Sequence, residues 1–111
     1  MAEPSSTSVP ALAGLAAVAD QFDLIICDVW GVVHNGVEAT PSAGEALSRF
    51  REKGGTVSLI SNAPRPGAGV IKILDNMGVP REAYDAIVTS GDVTRAMVAQ
   101  RPGEPLFLIG P

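Results

Sequence analysis

Asp28 closes the apolar run Asp23-Leu24-Ile25-Ile26-Cys27-Asp28, just ahead of a glycine-containing stretch. A carboxylate at the end of a buried strand can attack an electrophile or hold a metal ion. As a nucleophile towards phosphorus it forms an aspartyl-phosphate, which divides hydrolysis into two easier steps. A second apolar run, Thr56-Val57-Ser58-Leu59-Ile60, closes on Ser61-Asn62. The Ser61 hydroxyl could donate to the oxygens of a transferring phosphoryl group, and Asn62 could orient that group or Asp28. Backbone N–H groups around Gly31 and after Ser61 could add a small anion nest. Asp, Ser and Asn are also ordinary turn formers. Position at a strand end therefore leaves a structural and a chemical reading both open.

Three other side chains carry possible chemistry. Arg65, between Pro64 and Pro66, sits in a stiff loop and offers a planar fork for a phosphate or carboxylate. The alternative is a solvated loop arginine. His34 lies in the stretch after Asp28 and could move a proton, although a loop histidine is commonly just solvated. Cys27, the single cysteine, lies inside an apolar run. It reads as an inert buried thiol.

These residues need elements to hold them. Leu12, Leu15, Ala16 and Ala19 recur at helical spacing, widened by Val18 and Phe22, and predict a first helix. The run ending in Asp28 predicts a strand buried on both faces. Gly31, Asn35, Gly36 and Pro41 mark a long connection. Ser42-Ala43-Gly44-Glu45 is a capping-box sequence that predicts a helix start, and Gly54-Gly55 ends that helix. After the strand over 56–60, Val70, Ile73, Leu74 and Met77 predict a helix ending at Gly78-Val79-Pro80. Ala86-Ile87-Val88 predicts a third strand, Ser90-Gly91-Asp92 a helix cap, and Leu106-Phe107-Leu108-Ile109 a fourth strand. Strands alternating with helices specify an α/β fold with a parallel sheet and helices on both faces. Ligands of such sheets bind at the carboxyl ends of the strands. Asp28, Ser61-Asn62 and Thr89-Ser90 stand there, and the reading requires Asp28 and Ser61 to point into one pocket.

Composition narrows the class. The chain has 111 residues, 46% hydrophobic and 18% charged, with net charge −4. This is ordinary for a globular protein. No basic patch for nucleic acid or anionic membrane is present, and no run of ~20 apolar residues that could span a bilayer. Glu3 precedes the Ala/Leu stretch where a signal peptide would carry Lys or Arg. One cysteine fits a reducing compartment, and the expected location is the cytoplasm. No pattern sets an oligomeric state.

Asp28-Val29-Trp30-Gly31-Val32-Val33 resembles the first motif of the haloacid dehalogenase superfamily, Asp-x-Asp-Gly followed by small apolar residues. Leu59-Ile60-Ser61-Asn62 resembles its second motif. The stretch from Gly78 to Gly91, with Thr89-Ser90, is similar to subfamily IIA, the nitrophenylphosphatase and phosphoglycolate-phosphatase-like group. Ser61-Asn62-Ala63-Pro64-Arg65-Pro66 is closest to one branch of that group. The resemblance runs from about Phe22 to Pro111. It implies a Rossmann-like core and a Mg²⁺-dependent phosphatase acting on a small phosphorylated metabolite. By the same resemblance Asp28 is nucleophile and metal ligand, the backbone carbonyl of Trp30 is a second ligand, and Ser61 binds phosphate with Asn62 and Gly31.

The chain departs from the family pattern twice. Trp30 occupies the place of a second Asp that serves as general acid and base. An indole N–H only donates and cannot replace it, and general acid–base help is worth ~10²- to 10⁴-fold. The backbone carbonyl survives the change. The family's third-motif Lys and fourth-motif acidic pair also fall past residue 111, after an inserted cap domain. The expected organisation is thus a disordered tail over 1–10, the N-terminal part of a core over 11–103, and the opening of a cap over 104–111. The core is incomplete and its catalytic competence is in question. A phosphate- or metal-binding pseudo-enzyme of the same fold is the main competing reading. A phospho-acceptor signalling domain lacks its acidic pair here, and Gly31 and Gly36 do not make a dinucleotide-binding glycine pattern.

Overall fold

The computed structural model describes residues 8–110. Part of the expected tail, residues 1–7, lies outside them. Three strands form one parallel sheet: β1 (Leu24–Asp28), β2 (Thr56–Ser61) and β3 (Ala86–Thr89), in the order β1-β2-β3. Helix α1 (Pro41–Glu52) connects β1 to β2, α2 (Gly67–Asn76) connects β2 to β3, and α3 (Ser90–Ala99) follows β3. This is the parallel α/β arrangement that the alternating pattern requires, although the helices expected on both faces cover only one among the described residues.

The register pairs Cys27 with Leu59 and Leu59 with Ile87, and pairs Asp28 with Ile60 and Ile60 with Val88. Successive strand residues point to opposite faces. Val57 and Leu59 therefore look to one face, where Leu47 and Phe50 of α1 and Val70 and Leu74 of α2 bury them in a single core. Leu24, Ile26, Ile60 and Val88 lie on the other face and are exposed. The expected double burial of β1 is met on one face only, because among the described residues no helix covers the second.

Other expectations also change. Residues 12–22 form two short 3₁₀ turns, Leu15–Ala17 and Ala19–Gln21, with no buried residue in either. Only Ala19 packs against the core, and with so little tertiary packing a short Ala-rich segment lacks what stabilises a helix in water. Helix α1 starts at Pro41, ahead of Ser42, with Thr40 at its N-cap and no side-chain capping bond. Proline's fixed φ suits the first helical position. Helix α3 is capped by Thr89, whose hydroxyl accepts the Asp92 amide at 3.0 Å. Leu106 to Ile109 form no strand and are exposed, since no described strand lies beside them to complete a ladder.

Candidate active site

The connection between β1 and α1 is tied down by its own hydrogen bonds and by two side chains in the shared core. Val29 and Val33 are sunk into the core, at 2% and 1% exposure. The Val29 carbonyl accepts the Val33 amide at 2.9 Å, and the Val33 carbonyl accepts the Thr40 amide at 2.8 Å. Gly31 takes φ +80°, a conformation that costs an L-residue roughly 1–2 kcal/mol. Its N–H donates to the His34 carbonyl at 2.7 Å. That amide, expected to face phosphate, is thus engaged inside the loop. Asn35 Oδ1 accepts the Val37 and Glu38 amides, both at 2.9 Å, closing the outer turn.

Asp28 ends β1 with its carboxylate exposed, and its Oδ1 accepts the Val29 amide at 2.8 Å. Ser61 ends the neighbouring β2 and is only 9% exposed. Its Oγ accepts the Ala63 amide at 3.1 Å, so the hydroxyl proton remains free to donate. The two residues stand at the carboxyl edge of adjacent parallel strands, which lie ~4.8 Å apart. Alternation sends Asp28 towards the face of Ile60 and Ser61 towards the face of Leu59. A cavity of about 230 Å³ holds Ser61, Asn62, Arg65, Val29, Trp30 and His34 but not Asp28. The expected convergence of Asp28 and Ser61 in one pocket is therefore met at the level of the strand ends and not at the level of the side chains.

Arg65 is set in place from below. Thr89 Oγ1 donates to the Arg65 carbonyl at 2.7 Å, and the Gly91 amide donates to the Ala63 carbonyl at 3.1 Å. Asp92 Oδ2 accepts the Gly67 amide at 2.8 Å, satisfying a free donor at the start of α2. The first turn of α3 thus holds the 62–67 loop. The sequence marked Thr89 as a strand-end residue and Asp92 as part of a helix cap. Their reach across to a second loop has no signal in local spacing.

Trp30 and His34 form the other wall. Their rings meet edge to face with centroids 5.5 Å apart. His34 is buried, and its Nδ1 accepts the Gly36 amide at 2.9 Å. The indole lies against Gly36, where an added Cβ would overlap the ring, and Gly36 itself has φ +93°. The Trp30-x-x-x-His34-x-Gly36 spacing was the available clue. Cys27 sits beside Asp28, where burial, and secondarily the Asp28 charge, pushes its thiol up. It stays protonated and unreactive at neutral pH.

Among the described residues, no three His, Cys, Asp or Glu side chains gather as a metal site. The Asp28 carboxylate and the Trp30 carbonyl, which accepts no hydrogen bond among those residues, are two hard oxygen donors. They suit Mg²⁺ as part of a hydrated shell and do not complete one. A second hollow of about 280 Å³, between Met97, Val98 and Leu106, is lined by neither Asp28 nor Ser61. No described helix is long and apolar enough to cross a membrane.

The chain can be compared with known proteins on this geometry. The crystal structure of a haloacid dehalogenase-like family hydrolase from Brucella suis 1330 superposes with a TM-score of 0.75 and 51% sequence identity. The match covers 79% of this chain and 32% of that one, so the chain spans about a third of that hydrolase. No curated protein matches it. A family model for haloacid dehalogenase-like hydrolases matches residues 25–111, a span that includes Asp28, the Trp30 loop and Ser61. With strand order, motif positions and this match in agreement, the chain belongs to the haloacid dehalogenase-like hydrolases.

Proposed function

We propose that the chain carries the nucleophile half of a Mg²⁺-dependent phosphatase of subfamily IIA, acting on a small phosphorylated metabolite in the cytoplasm. The observation that carries this reading is the placement of Asp28 and Ser61 at the carboxyl ends of neighbouring parallel strands. Asp28 attacks phosphorus and the bond to the leaving oxygen breaks, giving an aspartyl-phosphate and an alcohol. Water then attacks that intermediate, releasing phosphate and restoring the carboxylate. Asp28 must first leave the Val29 amide and turn over the strand end. The step costs one hydrogen bond to a charged group, roughly 1.5–3 kcal/mol, before new contacts offset it. The Ser61 hydroxyl and the Asn62 amide hold the phosphoryl oxygens, and Arg65 binds a peripheral oxygen or a carboxylate. Asp28 and the Trp30 carbonyl would hold Mg²⁺, which neutralises phosphoryl charge when bound. With Trp30 unable to move a proton, the leaving oxygen takes its proton from water, and turnover is slow.

A second reading has its own support. The cavity gathers Ser61, Asn62 and Arg65 without Asp28, as a phosphate-binding module without turnover would. Beryllium fluoride with Mg²⁺ separates the two. A competent Asp28 forms a beryllofluoride adduct with a bound ¹⁹F resonance, absent from Asp28→Asn. Phosphate binding with no adduct in the wild-type chain would establish the module instead.

A further inference from the structure

We infer that the indole of Trp30 is a platform for the organic part of the ligand, and that the cavity selects phosphate esters whose alcohol is a planar ring. The inference rests on the phosphate reading of Ser61 and goes beyond it in naming what lies at the other end of the same cavity. Trp30 is 59% exposed, although an indole placed for core packing would be covered. It is nevertheless not loose. Gly36 is the one residue type that lets the ring lie where it does, and the buried His34 ring meets it edge to face. His34 is in turn fixed by the Gly36 amide. A large aromatic surface is thus held in a single orientation and left open to solvent. It lines the same cavity as Ser61, Asn62 and Arg65. The polar groups stand on the β2 side and the aromatic wall on the β1 side. The cavity of about 230 Å³ has room for a single ring with a phosphoryl group.

An indole face and edge bind planar π systems beyond what apolar area alone gives. The expected discrimination is roughly two- to tenfold in affinity between an aromatic ring and a saturated ring of similar size. Trp30 is the only tryptophan in the chain, so its emission reports this site and no other. Phenyl phosphate and cyclohexyl phosphate are titrated against the full chain, following Trp30 fluorescence and heat. Phenyl phosphate is expected to bind several-fold tighter, to quench the emission, and to be displaced by inorganic phosphate. Trp30→Leu brings the phenyl-to-cyclohexyl ratio in calorimetry to about one, and Trp30→Phe restores most of it. Because the side chain is exposed, neither change disturbs the core. Equal affinities in the wild-type chain, a ratio unaffected by Trp30→Leu, or no binding of either ester would overturn the inference. A ring preference that inorganic phosphate does not compete with, together with no beryllofluoride adduct, would defeat the phosphatase reading instead and leave only the aromatic wall standing.

Discussion

Gly91→Ala pits helix propensity against packing. Gly91 is the second residue of α3, where alanine would ordinarily stabilise the helix by ~1 kcal/mol. An added Cβ would stand 2.5 Å from the Arg65 carbonyl carbon and oxygen and 2.6 Å from its nitrogen. Ordinary contact begins at 3.4 Å, so the helix and the loop must part by about 1 Å, as overpacked sites do. These are backbone atoms and no side chain can swing aside. Such a shift takes the Gly91–Ala63 bond, now 3.1 Å, and the Thr89–Arg65 bond, now 2.7 Å, out of range. Two neutral hydrogen bonds are worth ~2 kcal/mol together, and residual strain adds ~1 kcal/mol. Set against the ~1 kcal/mol gain in propensity, the net is a loss of about 2 kcal/mol. Urea unfolding followed by far-ultraviolet circular dichroism measures it. Gly69→Ala is the control, since its Cβ would meet only the Arg65 side chain, at an ordinary 3.7 Å, and it should stabilise by ~0.5–1 kcal/mol. If Gly91→Ala also stabilises, the reasoning that α3 clamps the Arg65 loop is refuted.

Two more predictions follow from charge and from the Trp30 exchange. The Val57 amide, then the Arg51 guanidinium, hold Asp85 below the usual carboxylate value, and Arg81 does the same for Asp75. Depressed carboxylates stabilise the fold above their unfolded pKa of ~4, and that contribution disappears as pH falls through the lower folded values. The melting temperature should therefore hold steady above about pH 5 and drop below about pH 4, with a shallower drop in Asp85→Asn. A melting temperature independent of pH across that window would contradict it. Trp30→Asp should raise the rate of phosphate release from cyclohexyl phosphate by ~10²-fold or more, because it supplies the missing proton donor. An unchanged rate would show that proton transfer is not what limits the chain.

The core was legible because its signals are continuous. Each apolar strand run ends in a polar residue, and Val70, Ile73, Leu74 and Met77 recur at helical spacing beside them. Val70 and Leu74 are buried where that pattern places them, and Ile73 and Met77 are half-buried. What failed depended on partners that local sequence does not name. Leu106-Phe107-Leu108-Ile109 has every preference of a strand and no described neighbour to pair with. The 12–22 stretch has helical spacing, but no buried face turns it into a helix. Ser42-Ala43-Gly44-Glu45 lost the helix start to Pro41, a stronger local constraint one residue earlier. At the site, spacing located Asp28 and Ser61 on adjacent strands. It did not reveal which way each side chain leaves the sheet, because that turns on a one-residue register.

The uncovered sheet face has a consequence for how this chain tolerates change. Neighbouring positions along β2 obey opposite rules. Leu59 is wholly enclosed, and trimming it to alanine would cost roughly 2–5 kcal/mol, while Ile60 has half its surface in water and little to lose. The same alternation passes through Ile25 and Ile26 on β1. A substitution map of the three strands would therefore read as stripes, intolerant and permissive by turns. Among the described residues, changes on the bare side would leave intact the layer that holds the strand ends in place.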